Sequence, residues 1–177
     1  MPVVKTANYE PMKTTKSPPE RAAAIMAHLR SLKKDRGAMS NLRCALIPAR
    51  RHRAWPLLAR IGGIDDEIAE AVAGCYAYHP EEAHEGNLGE TCRLLAGSHT
   101  SFDARFRRLL ACDRGELCER IRQVVLAAKS KGIPVNYEVL LADLLWWGDH
   151  VRIRWAQAYW RYEATEETAK PIDAEAL

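Results

Sequence analysis

Apolar residues return every third or fourth position along most of this chain, and nowhere do they alternate strictly with polar ones. That period places them on one side of a helix and leaves no half-buried strand to pair into a sheet. The stretches are punctuated by helix start and stop residues. Ser17-Pro18-Pro19-Glu20 combines a Ser cap, Pro at the first helical positions and Glu three residues after the cap, and Ile25, Leu29 and Leu32 follow it. A second helix is predicted from Gly37 to Ile47, with Met39, Leu42 and Leu46 on one face and Pro48 ending it. Trp55 opens a short helix that stops at Gly62-Gly63, and Asp65-Asp66 start the next, whose inner stripe is Ile68, Val72, Cys75 and Tyr76. Residues 80–87 form a loop, and a helix from Leu88 to Leu95 ends at Gly97. Ser101 is expected to cap a helix that turns Phe102, Phe106, Leu109 and Leu110 inward. Asp113 caps the following one, which Gly132 and Pro134 close, with Leu117, Ile121, Val124 and Ala128 inside. Asn136 starts an apolar helix through Trp147, Gly148 breaks it, and Asp149 begins the last helix, to about Tyr162.

The expectation is an all-α fold, a compact bundle of about eight or nine helices over residues 17–163. The Gly62–Gly97 region is where it could divide into two packed lobes. Residues 1–16 show no periodicity and are expected to be a mobile arm, and 164–177 an acidic tail. No apolar run reaches the roughly 20 residues of a membrane span, and Pro2 to Glu20 is too polar for a signal peptide. Cytoplasm is the expected compartment, with no membrane partner. Five cysteines without paired spacing agree with it.

Charge is segregated. Residues 1–60 carry thirteen Lys/Arg against three Asp/Glu, 61–104 one against nine, 105–154 ten against six, and 155–177 two against five. Two basic blocks around an acidic one suit a polyanion on one surface and a different contact on another. Solvated charge on opposite helix faces is the alternative reading.

Catalytic chemistry has no foothold. His79 and His84, or Cys112 and Cys118, lack zinc-module spacing. The chain has no G-x-S-x-G and no Lys-Ser/Thr after Gly62-Gly63 to cradle phosphate. Glu81, Glu82 and Glu85 read as a solvated loop, since paired carboxylates need burial to separate their pKa values. No cofactor, metal or catalytic residue is expected. Trp146, Trp147, Trp155 and Trp160 could stack on bases, but their helical setting favours packing roles, with one at a protein contact.

Arginine carries the functional signal. Arg36 and Arg43 lie seven apart, off the face of Met39, Leu42 and Leu46, and Arg50, Arg51 and Arg53 follow. Arg105 and Arg108 share a stripe with Arg107 beside it, while Arg122 and Lys129 are seven apart and Lys131 follows. Guanidinium forks suit phosphate oxygens, so a groove lined by them would follow a backbone without reading bases.

Four segments resemble one family. Asp35-Arg36-Gly37 with Leu42-Arg43, the turn Gly86-Asn87-Leu88-Gly89, the run Phe102 to Arg114, and Asn136 to Gly148 with its Trp-Trp-Gly ending are similar, in that order, to segments of CasB proteins. CasB is the small subunit of the type I-E CRISPR effector complex Cascade. Cys44 stands where many members carry a second Arg, Tyr137 where they carry Trp, and Asp149-His150 where some are basic. The resemblance implies a helical, non-catalytic subunit that occurs as a pair beside the backbone and large subunits. It also implies contact with CRISPR RNA and target DNA, including the displaced strand, so that the R-loop is stabilised for antiviral defence. Matching positions are Arg43, Arg105, Arg114 and Arg122, and helical phase adds Arg36, Arg108 and Lys129. The rival reading is a helical scaffold without direct nucleic-acid contact. A small-molecule or catalytic helical protein is a third, for which the sequence offers no residues.

Overall fold

A computed structural model describes residues 16–161. Among them run α1 (Pro18–Ser31), α2 (Arg36–Arg43), α3 (Trp55–Leu58), α4 (Glu67–Tyr78), α5 (Leu88–Ala96), α6 (Asp103–Ala111), α7 (Arg114–Lys131), α8 (Tyr137–Leu145) and α9 (Asp149–Tyr159). Short 3-10 segments lie at Cys44–Leu46, Pro48–Arg53, Ala59–Ile61 and Thr100–Phe102. The all-α expectation holds among the described residues. Their one β-type contact is a bridge between Glu82 and Val135, which ties the 80–87 loop to the approach of α8. The arm, apart from Lys16, and the acidic tail lie outside the described residues.

Most starts read from sequence are capped as their chemistry requires. The Ser17 amide donates to the Glu20 carboxylate at 2.9 Å. Asp35, Asp66, Asn87, Asp113 and Asn136 each accept from a backbone amide in the first turn of the helix they precede. Ser101 does not cap. It lies inside the 3-10 turn that runs straight into α6, and Phe102, before the helix, is already helical (φ −78°, ψ −21°). A cap residue needs extended backbone, and none precedes α6. The predicted second helix is also shorter in its α form. It tightens after Arg43 into the 3-10 turn, and Pro48 opens a further 3-10 run instead of merely ending the segment.

Helix α4 is the centre of the molecule. The stripe expected from sequence is buried, but so is every residue from Ile68 to Ala77. The second face is built of Ala69, Ala71, Ala73, Gly74 and Ala77, small enough for neighbours to approach closely. Packing around it comes from α1, α2, α7, α8 and the Cys44–Leu46 turn, while α1 also packs on α8 and α5 on α9. One connected core joins Ile25 of α1 to Tyr159 of α9. The Gly62–Gly97 region therefore supplies the middle of the core.

Several buried polar groups are paired, although the Tyr76 hydroxyl in the core has no hydrogen-bond partner among the described residues. The Trp155 indole donates to Asp143 Oδ2 at 2.7 Å, and Arg154 donates to the other carboxylate oxygen. Burial still holds the Asp143 carboxyl above the ordinary carboxylate range, against the pull of those two donors. Tyr137 donates its hydroxyl to the His79 carbonyl at 2.6 Å, and Tyr159 to Asp103 at 2.6 Å. These bonds fix α8 and α9 against α4 and α6.

Candidate nucleic-acid interface

Helix α7 sorts the cations of the second basic block onto two sides. It runs parallel to α4: Cys118 near its start meets the Glu67 carbonyl, and Lys129 near its end lies over the Tyr78 ring at 5.2 Å. At 100° per residue, Arg120, Gln123, Val124 and Ala127 face one way, and Cys118, Glu119 and Arg122 face roughly 140° away. The first set looks toward α6 and the second toward α4.

Between α6 and α7 lies a groove of about 420 Å³. Arg105 and Arg108 enter it from α6 and Arg120 from α7, over an apolar floor that includes Phe102, Leu109, Val124 and Ala127. Arg105 also borders an adjoining hollow lined by His99, Phe102 and Lys131. No carboxylate lines either space among the described residues. Among the described residues Arg105 and Arg108 have no ion pair or hydrogen bond, while Arg120 meets Glu116 at 3.4 Å on the surface and Lys131 donates to the Leu95 carbonyl at 2.8 Å. Exposed pairs of this kind hold their partners weakly, so the Arg120 guanidinium is available to a stronger anion.

The remaining predicted residues do not join that groove. Arg43 donates its Nε to the Ala77 carbonyl at 2.8 Å, at the C-terminal end of α4. Lys129 rests on the neighbouring Tyr78, and Arg122, paired to Glu119 at 3.2 Å, borders a hollow with Arg51, Glu67 and Glu70. These three gather along α4, on the other side of α7 from Arg105. Arg114 lies at an acidic corner with Asp65, Asp66 and Glu67. Arg36 is exposed at the first turn of α2 and makes no ion pair or hydrogen bond among the described residues. Arg120 escaped the sequence reading, although its spacing from Val124 and Ala127, four and seven residues, marks it as the rim of their stripe.

Several other basic residues are structural. Arg30 donates to Glu82 through Nε and Nη2, at 3.0 and 2.8 Å, and to Glu138 at 2.9 Å, which ties α1 to the 80–87 loop and to α8. The two carboxylates raise its pKa, Glu82 foremost. Arg51 reaches Glu70, a residue 6% exposed whose carboxylate also accepts from the Trp55 indole at 3.1 Å. Of the tryptophans, Trp155 is fully buried and Trp147 packs on it at 5.1 Å, whereas Trp146 is 61% exposed and Trp160 44%. Adjacent Trp146 and Trp147 thus face different ways, but α8 ends at Leu145, short of the helix expected through Trp147, so the turn that follows it and not helical phase separates them.

Nucleophilic chemistry finds little support among the described groups. Burial pushes the Cys75 thiol up to about 12 and the Cys118 thiol up to about 11, and it also raises Cys92 and Cys112. A protonated thiol is a poor nucleophile. No cluster of three His, Cys, Asp or Glu among the described residues could hold a metal ion.

The family model described as CRISPR-associated protein Cse2 matches residues 25–160. The chain is 34% identical over 122 residues to a CRISPR-associated protein Cse2 of Thermus thermophilus, covering 65% of this chain and 70% of that protein. A crystal structure of a Cse2-family protein from the same organism superimposes with a TM-score of 0.68 at 28% identity, over 81% of this chain and 98% of the other. A CasB crystal structure from M. ruber gives 0.66 at 26% identity, over 84% and 97%.

Proposed function

The chain belongs to the Cse2 family of CRISPR-associated proteins, and on that premise we propose that it is the non-catalytic small subunit of a type I-E Cascade complex. In this role it holds nucleic-acid backbone on a basic surface and so stabilises the CRISPR RNA–target DNA hybrid and the displaced strand. The observation that carries the proposal is the convergence of Arg105, Arg108 and Arg120 in one groove with no carboxylate in its lining among the described residues. Exchanging a DNA duplex for a guide–target hybrid is close to balanced in energy. A surface that neutralises a few phosphates can therefore tip the exchange without any chemistry. Backbone contacts position a strand without reading it, which suits a subunit that must accept any target.

Arg43 and Lys129 lie near the C-terminal end of α4, Arg122 and Arg114 lie beside carboxylates at its start, and Arg36 is exposed on α2. These residues are assigned a supporting share in backbone contact. The test is reconstitution of the complex with and without this subunit, followed by strand-specific crosslinking to bound target. R-loop yield should fall without the subunit, and should fall again when Arg105, Arg108 and Arg120 become Ala. Normal yield in that triple variant, in a fully assembled complex, would reject the basic-groove mechanism.

A second reading has its own support. Trp146, just past α8, and Ile153, within α9, are both more than half exposed, and exposed Trp is enriched at protein contacts. On this reading the subunit acts as a scaffold toward its neighbours. Assembly lost on Trp146→Ala with strand binding intact would favour it.

A further inference from the structure

Resting on the backbone-binding reading above, we infer that the α6–α7 groove seats an unstacked base of a single strand, and so selects single strands over duplex. Tracking a phosphate backbone requires surface charge and no cavity. This groove nevertheless encloses about 420 Å³, within the roughly 300–1,000 Å³ of sites that take small molecules. Its lining is divided in the way a nucleotide is divided. Guanidinium groups of Arg105, Arg108 and Arg120 stand for the phosphate, and the floor around Leu109, Val124 and Ala127 is apolar, as the face of a base is.

Phe102 borders both this groove and the adjoining hollow. An aromatic ring face and guanidinium planes are surfaces on which any base can stack, because every base has a π-face. Gln123 is the one uncharged side chain in the lining that both donates and accepts through its amide; its nitrogen donates to Glu119 at 3.3 Å, on the exposed surface, and its carbonyl oxygen and second N–H remain for a ligand. An amide of that kind can meet the edge of any base, so the pocket accepts a base without choosing its identity. Bases within a duplex are paired and stacked, and they cannot enter a side pocket without leaving the helix.

The experiment uses the full chain and two single-stranded oligonucleotides of equal length and equal phosphate number, one of thymidine and one abasic. The intact protein should bind the thymidine strand about tenfold more tightly at the same salt concentration, from the stacking of one base. Both strands should share one salt dependence, since their phosphate contacts are equal. Ala127→Leu fills the floor and alters no charge. It should bring the thymidine strand down to the abasic affinity and leave the salt dependence unchanged. Equal binding of the two strands by the intact protein overturns the base pocket and leaves backbone binding standing. Discrimination that survives in a folded Ala127→Leu protein overturns its location. If that variant does not fold, the comparison on the intact protein decides. Binding of neither strand in a salt-dependent way would instead sink the backbone reading on which the inference rests.

Discussion

Gly89 of α5 lies directly against the main chain of Trp155 in α9: a Cβ at position 89 would stand 2.1 Å from the Trp155 carbonyl oxygen. The neighbour is backbone and cannot rotate away, so the α5–α9 crossing depends on the missing side chain.

Gly89→Ala should therefore destabilise the fold by about 3 kcal/mol, the upper range of overpacking costs. For a chain of this length that lowers Tm by about 6–12 °C. Gly74 offers a contrast. There a Cβ would meet only the Leu46 side chain, at 2.5 Å, which can change rotamer. Gly74→Ala should cost about 1 kcal/mol. Thermal melts of the two variants check the difference, and equal losses would contradict it.

The α6–α7 groove makes a prediction in salt. Single-strand affinity falls with log salt at a slope of about −0.7 per phosphate contact. Replacing Arg105, Arg108 and Arg120 with Ala should make that slope shallower by about 2. The triple change Arg43, Arg122 and Lys129 to Ala should alter it by less, because Arg43 is engaged with a carbonyl and Arg122 with Glu119. Titrations over a range of salt concentrations measure both slopes.

Arg30 belongs to the basic N-terminal block but acts as a structural clamp. Arg30→Ala removes its contacts to Glu82 and Glu138. It should cost about 1 kcal/mol, the top of the range for exposed ion pairs, because one guanidinium joins two carboxylates. The salt slope for strand binding should not change. A shallower slope would mean that Arg30 touches phosphate after all.

Alkali should unfold the protein progressively. The buried Cys75 thiol titrates at about 12 when folded, and Tyr76 is pushed up to about 12 by burial. Both folded values lie above the ordinary ones. The stabilising share of these groups is therefore complete below the unfolded values, near 9 for the thiol and 10 for the tyrosine, and is lost as pH rises toward 12. At pH 10 the buried Cys75 thiol alone should account for a loss of about 1 kcal/mol relative to pH 7. At the acid end the sign reverses. The Arg93 guanidinium holds the Glu90 carboxyl below its usual range, so that contribution disappears as pH falls below about 4.5. Urea midpoints under reducing conditions at pH 7 and pH 10 measure the alkaline limb.

Much of the fold could be read along the chain because its causes are local. Apolar residues three and four apart, Asp66, Asn87, Asp113 and Asn136 at helix starts, and Gly62 and Gly132 in left-handed closing turns act within a few residues of themselves. Ser101 misled because a cap depends on the backbone before it, and that backbone is decided by how the Thr100–Phe102 turn packs against α5.

The grouping of cations was only half legible. Arg105 and Arg108 share a helix, so their common side follows from spacing alone. Arg120 joins them from another helix, and Arg43 and Arg122 are held apart from them because α7 lies between. Sequence determined which residues are helical, which are charged and which face of its own helix each occupies. Tertiary structure alone decided which faces meet, because the rotation of one helix against the next is set by packing around α4, a helix buried on every side whose neighbours come from both ends of the chain.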